Sequence, residues 1–353
     1  MTGSEWFGAA PGGLNRYFTD LYRAMAQHPG VSVTAAAFGT ADDVGAGSWG
    51  PAGGSTLRRT RTAFTARDHL ARGTVIDRHF CLYGPLARSG ATALPLVVHF
   101  HGPWAQESAM AGESAVAVRA KHLFERLRYR GADRFIVLSG TFRDVLERDY
   151  NVAPERISII PPGVDLRRFH VAPHDLSTPT RTVLCVRRLE RRMGIDVLLR
   201  AWPQVLAVHP DARLVVVGTG TAERELRAQA APLADTVTFT GRVDDDRLTD
   251  LYARATVSVV PTVALEGFGL IALESLAAGR APIVTDCGGL PDAVRDLDPT
   301  LIVPAGSSDA LGDRLVTGLN GALPDPAACR AHAETFTWDV AAARHTALYR
   351  DLR

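Results

Sequence analysis

The sequence LEGFGLIALESLAAG at residues 265–279 is the most informative part of the chain. The apolar run Val257–Val260 before it indicates a buried strand, and the residues after Gly269 have a helical pattern. The loop between them presents backbone amides at the start of the helix, where anions bind. Glu266 and Glu274 flank this loop, and the sequence around Glu274 is too apolar for an exposed helix face. Two carboxylates beside an anion-binding turn suit sugar hydroxyls, which donate hydrogen bonds to carboxylates.

The alternation of apolar strands with amphipathic helices continues in both directions from this segment. Strand candidates are Leu96–Phe100, Arg134–Leu138, Ile157–Ile160, Thr182–Val186, Arg213–Val217, Val237–Phe239, Val257–Val260 and Pro282–Thr285. Helix candidates are Leu14–Gln27, Glu113–Arg130, Thr141–Tyr150, Gly194–Val208, Ala222–Ala231, Asp244–Ala255, Leu270–Gly279 and Trp338–Leu352. Strands that are apolar on both faces are typical of covered parallel sheets. The pattern therefore predicts an α/β protein with two doubly wound units.

The boundary between the two domains is expected at Phe169–Thr180, where prolines and polar residues precede a new strand. We expect an N-terminal domain at residues 1–170 and a C-terminal domain from residue 180 to about residue 335. A doubly wound domain normally opens with a buried strand, but Met1–Gly8 has no convincing apolar run. We therefore expect one of two alternatives: either the first strand is degenerate, or it is missing here and the true start lies upstream.

Composition excludes several classes of protein. The 353 residues carry 39 Lys and Arg against 38 Asp and Glu, and this net charge of +1 argues against a nucleic-acid binder. The four cysteines form no CxxC pair, so they indicate buried thiols in a reducing compartment and not a zinc site or a disulfide framework. No apolar stretch reaches the ~18 residues of a membrane span. The first residues lack a signal-peptide pattern, which makes a cytoplasmic location the expectation.

Three further motifs follow or precede predicted strands and helices. In PGGLNRY, Gly12 and Gly13 stand at a helix entrance and could admit a phosphate, although an ordinary turn is the alternative. In HFHGPW, His101 follows a strand at the edge where open α/β sheets bind ligands, with a structural histidine as the alternative. In CVRRLERRMGID, arginines including Arg188 and Arg192 are placed to bind a diphosphate, with a solvated charge run as the alternative.

Taken in order along the chain, these motifs resemble the retaining glycosyltransferases of family 4. The series runs PGGLNRY, HFHGPW, IVLSGTFRDVL, IIPPGVDLRRF, VRRLERRMGIDVLLRA, LVVVGTG, VTFTGRVDDDRLTDLYARA and EGFGLIALE, and the last matches the family's E-x7-E signature. The resemblance implies the GT-B fold, with two facing Rossmann-like domains and a central cleft. It also implies a hexosyltransferase that retains the anomeric configuration. Residues 336–353 resemble the terminal helix that returns to the N-terminal domain.

The resemblance implies a donor that is a UDP-, GDP- or ADP-linked sugar, and it assigns residues to that donor. The catalytic positions are His101 near the sugar 6-hydroxyl, Arg188 at the diphosphate and Glu266 near the sugar 3-hydroxyl. The donor-binding positions are Gly12, Gly13, Arg192, Arg242, Val243, Gly267, Phe268, Gly269, Leu270 and Glu274. Among these, Glu274 would accept hydrogen bonds from the ribose, and backbone near Arg242 would meet the base.

The chain departs from the family at Met193, where a lysine usually precedes the glycine that starts the helix. Arg192 or Arg191 would replace that charge, although arginine differs from lysine in geometry. Arginines would also do a metal's electrostatic work, so we expect a metal-independent enzyme without a separate cofactor. A catalytically impaired protein that binds nucleotide sugars, or a sugar-nucleotide epimerase of GT-B shape, stays open as an alternative.

The acceptor is open at this point and includes a sugar, a lipid or a small molecule. The segment VRAKHLFERLRYRGADR, at residues 118–134, is basic and amphipathic. Such a segment can lie on the inner face of a membrane as a peripheral contact. A solvated helix face is the simpler interpretation of the same pattern.

Overall fold

The structure, a computed structural model, describes residues 1–65, 73–85, 94–169 and 181–352. The chain divides into unit 1, formed by Met1–Gly163 with Trp338–Arg353, and unit 2, formed by Val164–Thr337. Except for Phe169, the boundary expected at Phe169–Thr180 lies outside the described residues. No helix in the described ranges is long and apolar enough to cross a membrane.

Unit 1 contains a parallel sheet in the strand order β3-β2-β1-β4-β5-β6-β7. Its strands are β1 (Thr2–Glu5), β2 (Ala35–Phe38), β3 (Ala46–Ser48), β4 (Ile76–Arg78), β5 (Leu96–His99), β6 (Arg134–Val137) and β7 (Ile157–Ile159). Its helices are α1 (Gly13–Gln27), α2 (Thr56–Thr65), α3 (Trp104–Met110), α4 (Ala115–Tyr129), α5 (Gly140–Tyr150) and α12 (Trp338–Arg350). Helix α12 packs against α1 and buries Ala341, Ala342, His345 and Thr346.

Unit 2 contains a second parallel sheet in the order β10-β9-β8-β11-β12-β13. Its strands are β8 (Thr182–Val186), β9 (Arg213–Val217), β10 (Val237–Gly241), β11 (Val257–Val260), β12 (Pro282–Thr285) and β13 (Ile302–Val303). Its helices are α6 (Ile195–Val208), α7 (Glu223–Ala230), α8 (Asp245–Arg254), α9 (Leu270–Ala277), α10 (Ser308–Leu319) and α11 (Pro326–Ala333). Both sheets contain the doubly wound, Rossmann-like order in which the first strand lies beside the fourth.

The eight predicted strands and eight predicted helices are confirmed to within two residues at each end. Of the two alternatives for the first strand, the structure contains the degenerate one and not a missing strand, because Thr2–Glu5 forms β1 between β2 and β4 in the unit 1 sheet. Its polar sequence has a physical reason. A Cβ at Gly3 would lie 2.6 Å from the ring of Phe18, so a glycine lets α1 approach the strand closely. The apolar contact here comes from the helix, and the strand therefore carries little apolar signal.

Candidate functional site

Two groups of the residues predicted to bind the donor lie where the chain leaves β8 and β11, which are neighbours in the unit 2 sheet. Arg187 and Arg188 follow β8, and the loop with Glu266 follows β11. The chain continues from β8 to β9 and from β11 to β12, which lie in opposite directions along the sheet. Ligands of open α/β sheets bind at this kind of switch point, outside the carboxyl ends of the strands.

Glu266 is held by Arg187, which the sequence placed only among the clustered arginines expected near a diphosphate. The Arg187 guanidinium donates to the Glu266 carboxylate and also to the Thr262 hydroxyl, over 2.5 Å. The side chains of Arg187 and Glu266 are only 8% and 15% exposed, so solvent screens this ion pair weakly. A charged and hydrogen-bonded partner fixes the carboxylate in one orientation. The position of Arg187 directly after a strand was the available signal.

The electrostatic environment keeps Glu266 ionised. Burial raises the pKa of this carboxyl, but Arg187, Arg192 and the Gly267 amide together hold it below its ordinary value. Arg192 also donates to the carbonyl of Leu265 over 2.7 Å. Leu265 has φ 54°, in the left-handed region that residues with a side chain seldom adopt. The loop before α9 is therefore held in a specific conformation, with its carboxylate negatively charged.

The backbone of Glu266 is packed against a second loop. The Gly289 amide donates to the Glu266 carbonyl over 3.0 Å. Gly288 has φ 59°, and a Cβ there would lie 1.9 Å from the same carbonyl oxygen. A glycine is needed at Gly288 for both its conformation and the close approach.

Gly288→Ala is expected to lower the melting temperature and the turnover, because the new methyl group must displace the Glu266 backbone. The matched control is Gly306→Ala, since Gly306 has φ 79° but nothing lies within 4 Å of a Cβ at that position. The control has the left-handed strain, about 1–2 kcal/mol, without the steric clash. Thermal unfolding of both variants measures the difference. Equal melting temperatures would show that the loop at Gly288 can move away from the Glu266 backbone without loss of stability.

Arg188 differs from its neighbour, because its side chain is exposed. No hydrogen bond or ion pair joins that side chain to another residue in the described part of the chain. Its backbone position is fixed, since the Arg187 and Leu189 amides donate to Val217 and Thr219 over 2.9 Å each. A Cβ at Gly218 would lie 2.0 Å from the Arg187 carbonyl oxygen. The Arg188 guanidinium is therefore an exposed cation on a fixed backbone, and none of the described residues pairs with it.

The remaining predicted positions in unit 2 differ in their exposure. Arg242 is exposed just after β10, and Val243 is half-buried. Gly267 and Leu270 are half-buried, whereas Phe268 and Gly269 are buried. Glu274 is buried inside α9, and the Tyr252 hydroxyl lies 3.3 Å from its Oε2. Burial and the Glu274 charge raise the pKa of Tyr252, so this phenol stays protonated and can donate.

Three helices that start at predicted binding turns have glycine at the N-cap. Gly12 precedes α1, Gly194 precedes α6 and Gly269 precedes α9, and no side chain caps these helices. Serine or aspartate side chains cap other helices, at Ser114, Ser139, Asp244, Ser307 and Asp325. A helix start without a side-chain cap leaves room for an anionic ligand to accept from the first amides.

The glycine turn of unit 1 is open and well supported. A Cβ at Gly12 or Gly13 would meet nothing within 4 Å. Asn15 braces the turn by donating to the Ala10 carbonyl over 2.8 Å, and the Phe7 amide donates to the Thr19 hydroxyl. A ligand can therefore approach the Gly12 and Gly13 backbone closely.

His101 follows β5 and belongs to a cluster of buried polar side chains that the sequence analysis did not predict. Its Nε2 lies 3.4 Å from Nδ1 of His79, which follows β4. The carboxylate of Asp77, within β4, lies 3.2 Å from His79 and 3.0 Å from His99. The three-residue strand β4 gave no predicted strand, although the sequence VIDRHF around it contained the signal.

The histidine cluster has the composition of a metal site but not the geometry of one. Nitrogen atoms of His79, His99 and His101 lie within 4.8 Å of one another. The rings of His79 and His99 are stacked, with centroids 3.8 Å apart and planes 22° apart. A histidine binds a metal through a lone pair in its ring plane, and lone pairs in stacked planes do not converge on one ion. The arrangement therefore suits proton and hydrogen-bond exchange better than metal coordination.

Comparison with known families covers most of the chain. The profile of Glycosyltransferase Family 4 matches residues 11–168, and the profile of Glycosyl transferases group 1 matches residues 180–320. The D-inositol 3-phosphate glycosyltransferase of Acidothermus cellulolyticus is 35% identical over 304 residues, which cover 78% of this chain and 67% of the relative. The phosphatidyl-myo-inositol mannosyltransferase of Mycobacterium leprae is 34% identical over 54% of this chain and 52% of its own length.

Two solved structures share the fold over almost the whole chain. The sucrose-phosphate synthase of Thermosynechococcus elongatus matches with a TM-score of 0.73 at 22% identity, covering 99% of this chain and 98% of that one. HepE of Anabaena, solved with UDP and glucose, matches with a TM-score of 0.74 at 17% identity and the same coverage. At these identities the likeness shows the fold alone, which is GT-B as the sequence predicted.

Proposed function

The chain belongs to glycosyltransferase family 4, and we propose that it transfers a hexose from a nucleotide sugar to an inositol phosphate group. It is a glycosyltransferase that uses nucleotide-sugar donors. The proposal adds the acceptor, retention of the anomeric configuration and the roles of single residues. The observation that carries it is the switch point of unit 2, where Arg187 fixes the Glu266 carboxylate and the next residue, Arg188, is exposed.

The chemistry follows from the charges at that switch point. Breaking the bond between the sugar and the diphosphate leaves negative charge on the β-phosphate oxygen. Arg188 and the helix N-terminus at Gly269 are held in position before the reaction begins, and they stabilise that charge as it develops. Glu266 accepts a hydrogen bond from a sugar hydroxyl and favours positive charge at the anomeric carbon. The acceptor hydroxyl attacks from the face that the diphosphate leaves, and the leaving phosphate takes its proton, which gives retention.

The proposed reaction requires neither a metal ion nor another cofactor, because arginine charges neutralise the departing diphosphate. Met193 is buried, and its sulfur lies 2.9 Å from the Arg187 guanidinium. Met193 therefore contacts the same guanidinium that pairs with Glu266. Arg192 supplies the positive charge that a lysine supplies in related enzymes, since it acts on Glu266 electrostatically.

The acceptor is proposed from relatives of two kinds, both named for inositol. One kind is a D-inositol 3-phosphate glycosyltransferase and the other a phosphatidyl-myo-inositol mannosyltransferase. A free inositol phosphate and the headgroup of phosphatidylinositol both present an inositol ring that carries hydroxyls and a phosphate. The proposal concerns that shared chemistry.

The test incubates the purified chain with UDP-, GDP- and ADP-linked hexoses and with either D-inositol 3-phosphate or phosphatidylinositol vesicles. We expect one donor to react, and the anomeric coupling in the product NMR spectrum to match that of the donor. Activity should survive EDTA. Nucleotide-sugar binding by calorimetry without any transfer would instead support the catalytically impaired alternative. A product with inverted configuration would overturn the proposed mechanism.

Peripheral membrane contact at the inner face is part of the proposal, and α4 carries the surface for it. Val116, Leu123 and Leu127 are 76%, 60% and 50% exposed. They share one face of the helix, at positions spaced by three or four residues, with the exposed Arg119 and Arg126. Exposed apolar side chains that are bordered by basic side chains are typical of helices that lie on anionic lipid.

Leu123→Asp is expected to reduce sedimentation of the protein with vesicles that contain anionic lipid, because it places a negative charge in the apolar stripe. Vesicles of neutral lipid should sediment little of either protein. Val44→Asp is the control, since Val44 is 97% exposed and lies outside α4. If the two variants sediment equally well, α4 is an ordinary solvated helix.

A further inference from the structure

We propose that Asp77 and His79 fix the proton of His101 on Nε2, so that His101 Nδ1 accepts a hydrogen bond from a ring hydroxyl of a substrate. The inference deepens the proposed function, on which its substrate class rests. Asp77 and His79 are positioning residues, because they act through His101. Asp77 and His79 belong to none of the sequence motifs described above.

The three side chains form a continuous chain of hydrogen bonds. Asp77 Oδ2 lies 3.2 Å from His79 Nε2, and His79 Nδ1 lies 3.4 Å from His101 Nε2. Asp77 and His79 are each 2% exposed, so water does not compete for these contacts. The Tyr349 hydroxyl of α12 donates to the same Asp77 oxygen over 2.6 Å and orients the carboxylate. His101 itself is half-buried, at the outer end of the chain.

The direction of each hydrogen bond follows from the charge on Asp77. Although burial raises the pKa of Asp77, His99 and His79 hold it well below its ordinary value, so the carboxylate only accepts. His79 Nε2 must then carry the proton. Burial lowers the pKa of His79, so the ring is neutral near pH 7 and its Nδ1 can only accept. His101 must therefore donate from Nε2.

As a result, Nδ1 of His101 is a hydrogen-bond acceptor and not a donor. Burial and the neighbouring histidines hold the pKa of His101 well below its ordinary value, so this ring is also neutral. A neutral ring with its proton on Nε2 has a lone pair on Nδ1. That nitrogen can accept from a hydroxyl but would repel a phosphate oxygen, which also only accepts. His101 thus selects a hydroxyl over a phosphate.

Contacts with other aromatic rings fix the orientation of the histidine rings. His79 stacks on His99 with centroids 3.8 Å apart, and His345 of α12 stacks on the same His99 at 5.2 Å and 8°. The ring of Tyr17 meets His101 edge-on at 4.9 Å. Because these contacts confine the rings, the hydrogen-bonded series from Asp77 to His101 has one arrangement of protons, which Asp77 imposes.

The experiment reads the tautomer directly in protein that carries ¹⁵N-labelled histidine. A long-range ¹H–¹⁵N NMR spectrum, with His101 assigned through His101→Gln, is expected to show the proton of His101 on Nε2. Because this measurement needs no substrate, it tests the proton arrangement even if the proposed transfer reaction fails. A proton on Nδ1 of His101 in the parent protein would overturn the inference.

Asp77→Asn is expected to shift the tautomer and to weaken substrate recognition. An amide can donate as well as accept, so the polarity of the chain is no longer imposed, and the Nδ1-protonated form of His101 should become populated. The KM for donor or acceptor should rise roughly three- to ten-fold, while the free nucleoside diphosphate binds as before. An unchanged tautomer and unchanged KM values would contradict the proposal.

Asp133→Asn is the matched control. The Asp133 carboxylate accepts from the Leu96 amide over 2.8 Å, at the opposite end of β5 from His101. This variant perturbs the same strand without touching the histidines, so the His101 tautomer and both KM values should stay as in the parent. If it changed the tautomer as Asp77→Asn does, the effect would be a general disturbance of the sheet. The spectrum of the parent protein decides the proton position even if Asp77→Asn fails to fold.

Discussion

Glu266→Gln lowers turnover by roughly 10²–10³-fold in our expectation, which is the loss seen when a preorganised electrostatic contact is removed. The glutamine keeps the shape of the side chain, and its amide oxygen can still accept from Arg187. It loses the negative charge that favours positive charge at the anomeric carbon. It also offers a donor where a sugar hydroxyl needs an acceptor. The free nucleoside diphosphate carries no sugar at that position, so its affinity should be retained.

Two further variants separate this role from others. Glu274→Gln changes a buried carboxylate in α9, for which we propose contact with the ribose, so nucleotide affinity should fall before turnover does. Glu225→Gln is the control for loss of a carboxylate, because Glu225 is exposed and pairs with Arg191 at the surface. Calorimetry with the nucleoside diphosphate and steady-state kinetics with the donor measure all three. If Glu266→Gln loses nucleotide affinity and Glu274→Gln does not, the two roles are reversed.

Arg188→Ala is expected to weaken nucleoside diphosphate binding by about 10- to 150-fold, the equivalent of one charge-assisted hydrogen bond of about 1.5–3 kcal/mol. The guanidinium is exposed and is mounted on backbone fixed by β9. Because its side chain pairs with none of the described residues, it can make a forked contact with a diphosphate without breaking an ion pair among them. Turnover should fall as well, because the same charge stabilises the departing phosphate.

The neighbouring arginines supply controls for this variant. Arg191→Ala removes a side chain of the same cluster that is 80% exposed and paired with Glu225, and it should change affinity little. Arg187→Ala should mainly lower stability, because it leaves the Glu266 carboxylate buried without its partner. Calorimetry and thermal unfolding separate these effects. Equal diphosphate affinity for Arg188→Ala and the parent protein would refute the proposed role.

Periodicity predicted the parts of the fold that bury continuous apolar runs. Strand β11, for example, was found because Val257–Val260 is a mostly apolar run that is buried along its whole length. Strand β1 was missed because Phe18 of α1 supplies the apolar contact through the space left by Gly3. Strand β4 was missed because its three residues include Asp77 and Arg78, which are buried by hydrogen bonds and not by apolar packing.

In the candidate site, too, local motifs predicted some features, whereas contacts between residues far apart in the sequence were not predicted. The motifs predicted that Arg188 and Glu266 follow strand ends, and the topology makes those strands neighbours. The pairing of Glu266 with Arg187 joins residues that lie far apart in the chain, so no local pattern contains it. The contact between Asp77 and Tyr349 is more distant still, since it joins a strand in the first quarter of the chain to the final helix.

The membership of α12 in unit 1 has a consequence for how the protein is made. Unit 2 is one continuous segment, but unit 1 uses residues on both sides of it. A ribosome therefore completes every residue of unit 2 before it makes His345 and Tyr349. Domains tend to fold as units during synthesis, but unit 1 cannot complete its fold until all of unit 2 has been made. The Asp77 carboxylate lacks its contact with Tyr349 through that interval, so the polar cluster becomes native only after the synthesis of unit 2.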